Sequence, residues 1–272
     1  MTTTTLNPDS TSVPVPAIDG AGASTAKRAG VLLYGVVVYA AFLAAFSYAI
    51  FFVGDFRSIV PTTLNAGGPA ADVSSALLVN GLLLALFALQ HAIMARPAFK
   101  RRWTKIVHPA IERSTFVLAT SSILGLMYLT WRPMPDVIWS VGDGPLATVL
   151  TALSLTGWVL VLIATFLIDH FDLFGLKQTI RYARGGQHHD PAFRTPGLYR
   201  FVRHPIYLGF LIAFWAAPTM TAGHLLFAIG CTGFILVSSR LEERDLVTFH
   251  GDAYRRYRES VPALLPRLTP AR

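Results

Sequence analysis

The sequence predicts an all-α, polytopic integral membrane bundle with four full spans, followed by a C-terminal helical hairpin and a cytoplasmic amphipathic helix. Three observations carry that prediction. Of 272 residues, 53% are hydrophobic and only 14% are charged, which is too apolar for a soluble domain of this length. The apolar residues gather into runs near the ~20 that a ~30 Å hydrocarbon core requires. The basic residues behind the net charge of +8 flank those runs and form no separate patch interleaved with aromatics. Their expected partners are therefore membrane lipids and not nucleic acid. The single cysteine, Cys231, lies inside an apolar run, so it reads as a small core residue and no disulfide framework is possible.

Residues 1–26 are Thr-rich, contain Pro14 and Pro16, and lack both a basic n-region and an apolar h-region. They read as a disordered tail rather than a signal peptide, and 27–272 reads as one membrane domain. Residues 31–53, 73–95, 115–131 and 146–168 supply the four spans. The loop 96–113 carries Arg96, Lys100, Arg101, Arg102, Lys105 and Arg113 against Glu112, which places it in the cytoplasm. Loops 55–72 and 132–145 then face outside, and the N-terminus faces inside. The expected setting is a bacterial-type inner (plasma) membrane, with the oligomeric state left open. Trp103, Trp131 and Trp139 fall near span ends, where an interfacial aromatic belt sits.

After a polar cytoplasmic stretch, 169–204, comes an apolar run from 206 to 238. As one straight helix its ~33 residues would measure ~50 Å, far beyond the hydrocarbon core. Pro218, Thr219 and Gly223 near its middle offer a turn, so it reads as a hairpin with arms 206–217 and 222–238 that returns the C-terminus to the cytoplasm. The first arm is short and leaves room for a cavity beneath it. Residues 240–258 are charged and amphipathic, suited to the membrane surface.

The hairpin matters because it joins two polar clusters. Pro205 suits the first position of a helix, which puts His204 at the cap, and Arg203 adds a planar charged fork fit for a carboxylate or phosphate. An interfacial anchor is the competing reading of Arg203. Glu242 and Glu243 close the second arm and are poor topology signals. With Tyr199, Tyr207, Tyr254 and Tyr257 they outline a pocket with charges of both signs, suited to a zwitterionic or cationic ligand of nucleotide size. An Arg203 to Glu243 ion pair that merely shuts the hairpin is the plainer alternative. His91, beside Gln90 in the second span, is either a functional group or a helix-to-helix hydrogen bond. No Gly-x-Gly-x-x-Gly or Walker loop is present. His170, Asp172, His188, His189 and Asp190 match no tight zinc spacing, so no metal is predicted and His188-His189-Asp190 reads as a solvated loop.

The order Arg203-His204-Pro205-x-Tyr207-x-Gly209, then Glu242-Glu243-x-x-Leu246, Gly251, Tyr254, Tyr257, Pro262 and Pro266, resembles the isoprenylcysteine carboxyl methyltransferase superfamily. Gln90-His91-x-x-Met94-Ala95-Arg96-Pro97, Glu112-Arg113-Ser114 and the run from Asp169-His170-Phe171-Asp172 to Gln178 resemble its NnrU-like branch, and within it the members that convert methanethiol to dimethyl sulfide. The resemblance implies a membrane enzyme that uses S-adenosyl-L-methionine without a Rossmann domain, a donor-binding part at about 169–272, and a small thiol as acceptor. It implies Arg203, His204, Pro205 and Tyr207 around the methionine moiety, with Glu243 and Glu242 facing the sulfonium or ribose. Tyr199 would help to close the pocket, and Tyr254 and Tyr257 would line the adenosine, lidded by Val261, Pro262 and Leu265. An alkyl thiol is mostly protonated at neutral pH, so a base is needed. His91 and His170 come first, then His204, with Glu243 also at the reacting centre. Two other readings stay open: a lipid, prenylcysteine or amine acceptor, and a non-enzymatic membrane accessory or haem-associated protein ligated by His91, His170 and His204.

Overall fold

The computed structural model describes residues 18–188, 193–267 and 269. In chain order these form strand β1 (Ile18–Asp19), helices α1 (Thr25–Val53), α2 (Val73–Met94), α3 (Pro97–Trp103) and α4 (Pro109–Thr130), strand β2 (Val137–Ser140), helices α5 (Pro145–Ile168), α6 (His170–Leu173) and α7 (Leu176–Ala183), strand β3 (Gln187–His188), a 3-10 turn (Gly197–Arg200), helix α8 (Pro205–Trp215), strand β4 (Thr219–Thr221) and helix α9 (Ala222–Ser260). Local chemistry sets the helix starts. Pro97, Pro109, Pro145 and Pro205 occupy first-turn positions, where the missing N–H costs nothing. Asp72 and Thr221 accept hydrogen bonds from Ser75 N and His224 N, at 2.9 and 3.1 Å.

Among the described residues, four helices are long and apolar enough to cross a membrane: α1, α2, α5 and α9. Three coincide with the expected spans 31–53, 73–95 and 146–168, and the fourth contains the second hairpin arm. The expected span 115–131 falls in α4, which is not among those four. This 22-residue helix packs against α1 and α2 and buries Glu112, Ser114 and Ser121. A helix packed on one face against its neighbours can carry polar residues there, which is why α4 reads less clearly as a span.

The hairpin forms as expected, and its arms are unequal. α8 has 11 residues, ~17 Å at 1.5 Å per residue, about half a hydrocarbon core. Its turn is a strand: β4 pairs antiparallel with β2, with Trp139 opposite Met220 and Ser140 opposite Thr219. α9 has 39 residues and carries the charged segment 240–258 as its own continuation. At Gly251 (φ 53°, ψ −129°) the helix breaks in a conformation open to glycine. α8 lies close against α5 through a pair of glycines. A Cβ on Gly157 would sit 2.6 Å from the Gly209 carbonyl oxygen, and one on Gly209 would sit 2.7 Å from that of Gly157. Small residues at such a crossing let two backbones approach within lipid.

The main core joins Phe52, Leu64, Met127, Tyr128, Trp131, Trp158, Phe214 and Phe227. Trp131 corrects the belt reading: it is fully buried, and its Nε1 donates to the Leu64 carbonyl at 3.1 Å. Part of the segment expected as tail is also built in. Ile18 packs on Ala110 and Tyr182, and β1 pairs with β3.

Candidate functional site

The hairpin brings Arg203, His204 and Tyr207 against Glu242 and Glu243. Pro205 opens α8 at the cap residue His204, whose backbone N–H donates to Ala263 O at 3.1 Å, while that of Arg203 donates to Pro262 O at 2.9 Å. The chain after α9 thus returns and pins the start of α8. Glu243 Oε1 accepts from Arg203 Nε at 2.8 Å and from His204 Nε2 at 3.0 Å, and is ion-paired with Arg203 Nη2 at 2.7 Å. Arg203 Nη1 donates to the carbonyls of Arg258, at 2.8 Å, and Val261. Three of the five guanidinium N–H groups are therefore hydrogen-bonded inside the protein, and Nη2 is ion-paired. Arg203 is a tie between α8, α9 and the C-terminal strand of chain. The fork expected for a ligand carboxylate is held by Glu243 and backbone.

Glu242 is freer. Its Oε2 accepts from Tyr207 Oη at 2.9 Å, and its side chain is 43% exposed against 14% for Glu243. Beside it, Arg96 Nη1 donates to Asp245 Oδ2 at 2.9 Å, joining the corner between α2 and α3 to α9. In sequence Arg96 looks like one more topology charge and Asp245 like one more surface acid, and no local signal marks their pairing. The aromatic members converge as well. Tyr257 Oη donates to Tyr199 O at 2.6 Å, and Phe193 packs on Tyr254 and Tyr257 with centroids 5.7 and 5.5 Å away. Burial, helped by the Glu242 carboxylate and Tyr257, pushes the Tyr199 phenol up, so it stays neutral. Tyr254 is buried and its hydroxyl has no hydrogen-bond partner. Val261 is buried and Pro262 partly so, whereas Leu265 is 80% exposed and stands apart from the cluster.

The three histidines differ sharply. His204 Nε2 is held by Glu243. His170 is buried and stacked on Phe166 at 4.3 Å, with both nitrogens engaged. Thr165 Oγ1 donates to Leu162 O, so it accepts from His170 Nδ1–H at 2.9 Å, and His170 Nε2 accepts from Tyr39 Oη at 2.9 Å. Burial also lowers its proton affinity, which keeps this ring neutral and locked. His91 makes no side-chain hydrogen bond. Its Nδ1 is sealed and unpartnered, and its ring is flanked by Phe116, Phe234 and Phe87 at 5.0, 5.5 and 5.6 Å. Of the set His91, His170 and His204 considered as haem ligands, His170 has both ring nitrogens bonded and His204 has its Nε2 bonded. His189 and Asp190 lie outside the described residues.

Known proteins resemble this chain over most of its length. The model of the family described as "Protein of unknown function (DUF1295)" matches residues 76–261, a span that holds every member of the cluster up to Val261. Methanethiol S-methyltransferase of Mycobacterium tuberculosis is 52% identical over 240 residues, 88% of this chain and 97% of its own length. Methanethiol S-methyltransferase 2 of Bradyrhizobium diazoefficiens is 50% identical over 241 residues, 89% of this chain and 92% of its own. Nurim of Mus musculus is more distant, 28% identical over 237 residues, 79% of this chain and 90% of its own. No solved structure matches. The chain therefore belongs to the DUF1295 family and to the family of the methanethiol S-methyltransferases.

Proposed function

We propose that this membrane enzyme transfers a methyl group from S-adenosyl-L-methionine to methanethiol, releasing dimethyl sulfide. The observation that carries the reading is near 50% identity, over about nine tenths of both chains, to proteins named for that acceptor. The catalytic unit is 27–272, with the donor held mainly by 169–272. The site opens at the Arg-rich end of the bundle, assigned to the cytoplasmic face of an inner membrane with both termini inside.

The residues present fit such a donor. Glu242 offers carboxylate oxygens on the open side of the cluster for a sulfonium or ammonium, and the unpartnered Tyr254 hydroxyl is a buried polar group in want of a ligand atom. Once bound, the donor supplies an electrophilic methyl group on a cationic sulfur. Tyr207 orients Glu242, while Arg203 and His204 hold Glu243 so that α8 and α9 keep their spacing. Of the candidate bases, His170 has both nitrogens bonded and His204 is set between two carboxylates, with Nε2 bonded to Glu243 and Nδ1 3.9 Å from Glu242, whereas His91 lies against an apolar wall, so its Nε2 takes the thiol proton. Reaction of a thiolate with a sulfonium disperses opposite charges, and an apolar wall around His91 opposes that dispersal least.

Purified protein given methanethiol and S-adenosyl-L-methionine is expected to release dimethyl sulfide into the headspace. A protein that binds S-adenosylhomocysteine but makes no dimethyl sulfide would lose the acceptor assignment. Failure to bind S-adenosylhomocysteine would overturn the donor.

A further inference from the structure

α9 carries one continuous face from the aromatic wall at His91 to the carboxylates. Phe234, Ser238, Glu242 and Asp245 follow at spacings of four, four and three, so they share a side of the helix. Their contacts agree. Phe234 touches His91, Glu242 accepts from Tyr207 and Asp245 accepts from Arg96. Between Phe234 and Glu242 sits Ser238, 5% exposed, with its hydroxyl buried and unpartnered. Most hydroxyls inside these helices are bonded within the helix. Those of Thr120, Thr151 and Thr232 each donate to the carbonyl four residues back, at 3.1, 2.9 and 2.7 Å. Ser238 makes no such bond.

On the facing helix, His91 is three turns from the buried Asn80 and opposite the exposed Leu82, so it looks into the bundle and not at lipid. Two buried polar atoms are thus left without partners, His91 Nδ1 on the residue against the Phe234 ring and Ser238 Oγ one helical turn beyond Phe234. Each such group carries a desolvation penalty that a native fold seldom leaves uncompensated without a use for the site. The Phe rings also select the tautomer of His91. A sealed Nδ1 among aromatic rings is better as an N–H, which their faces attract, than as a lone pair, which they repel. The lone pair then belongs to Nε2.

We propose that His91 and Ser238, walled by Phe87, Phe116 and Phe234, form the subsite for the acceptor thiol, and that the three rings restrict it to the smallest alkyl thiols. This rests on the methyltransferase reading above. In the step itself the S–H bond breaks and its proton passes to His91 Nε2. The thiolate, facing the Ser238 hydroxyl, forms a new sulfur to carbon bond with the methyl of the sulfonium donor. The old bond breaks with its electron pair going to the donor sulfur, so two neutral thioethers leave and His91 returns its proton to water.

The test is acceptor kinetics with methanethiol, ethanethiol and propanethiol, alongside S-adenosylhomocysteine affinity measured without turnover. Phe234→Ala is expected to raise kcat/KM for propanethiol relative to methanethiol by tenfold or more, with affinity for S-adenosylhomocysteine within about twofold of wild type. Phe234→Leu, a smaller change in case the first variant folds poorly, is expected to shift the same ratio less and toward ethanethiol. Ser238→Ala should raise KM for methanethiol more than it lowers kcat. His91→Ala should lower turnover at pH 7 by about a hundredfold, recovering as pH rises and free thiolate accumulates. An unchanged acceptor ratio in both Phe234 variants overturns the subsite, as does a His91→Ala loss that high pH does not restore. Because wild-type dimethyl sulfide formation is scored separately, these results can fail while the function stands.

Discussion

The two ends of the bundle satisfy their buried polar groups in different ways. At the end made by segments 54–72, 131–144 and 216–221, side chains bond mainly to backbone or to other neutral groups. Trp131 reaches Leu64 O, Asn80 clasps the backbone of Arg132 from both sides, and Thr221 donates to Asn65 at 2.7 Å. At the Arg-rich end, charged groups bond to charged groups: Arg203 and His204 to Glu243, Arg96 to Asp245, Lys100 to the buried Glu112. Near that end lie the unpartnered His91 Nδ1, Ser238 Oγ and Tyr254 Oη. The loop end uses its polar atoms mainly to hold loops in register and leaves His224 Nδ1 unpartnered, whereas the Arg-rich end leaves several, as a binding site requires.

Four experiments would break or sharpen that contrast. The largest effect is expected from Glu243→Ala, which leaves the Arg203 guanidinium, only 10% exposed, without its anion. Breaking such a pair costs about 3–5 kcal/mol, read as a large drop in Tm together with lost turnover. A double change, Arg203→Met with Glu243→Leu, should recover much of the stability and none of the turnover. A Glu243→Ala protein with wild-type Tm would remove the tie from the account. Next is Asn80→Ala at the opposite end, which strands both the N–H and the carbonyl of Arg132. It should cost roughly 1–3 kcal/mol, yet turnover per folded molecule should hold. If turnover falls with stability intact, the division between the ends is wrong.

Gly209→Val tests how α8 is aimed. The added methyls must overlap α5, an overpacking worth about 1–3 kcal/mol. Because Gly209 lies just over one turn from Pro205, turnover should fall more than stability alone explains. The smallest effect concerns pH. Burial acts to raise the Asp169 carboxyl, but the Lys177 ammonium and the Asp172 N–H outweigh it and hold Asp169 below its ordinary value. A carboxylate depressed by folding contributes stability above its unfolded pKa and loses it as pH falls through the folded one. With Lys177 about a third exposed, that contribution stays below about 1 kcal/mol. Asp169→Asn should therefore lower Tm slightly at pH 7 and not at all near pH 2; an equal loss at both would point to the Asp172 cap instead.

How much of this was legible in the chain varies by residue. The hairpin followed from length against hydrocarbon thickness, and α8 and α9 form as that arithmetic demands. The span at 115–131 was harder to read, because α4 carries polar residues such as Ser114 and Ser121 on its packed face and hydropathy averages over all faces of a helix. The convergence of Arg203, His204 and Glu243 was anticipated from the hairpin. The engagement of Arg203 by two backbone carbonyls was not, since those carbonyls come from 258 and 261, beyond the break at Gly251. His170 and His91 looked equivalent as bases, and nothing within a few residues of either hinted at the hydroxyls of Tyr39 and Thr165 that occupy only one of them. Ser238 carried no signal at all. A serine within an apolar helix is ordinary, and only the missing bond to the preceding turn marks it.

By itself, then, the order of residues determined the helices, their apolar lengths and the meeting of two charged clusters, because hydropathy and turn chemistry accumulate along the chain. Which polar atoms end up unpartnered was decided only by the tertiary structure. Hydrogen-bond satisfaction depends on groups a hundred or more residues away that arrive within 3 Å, as Tyr39 does at His170.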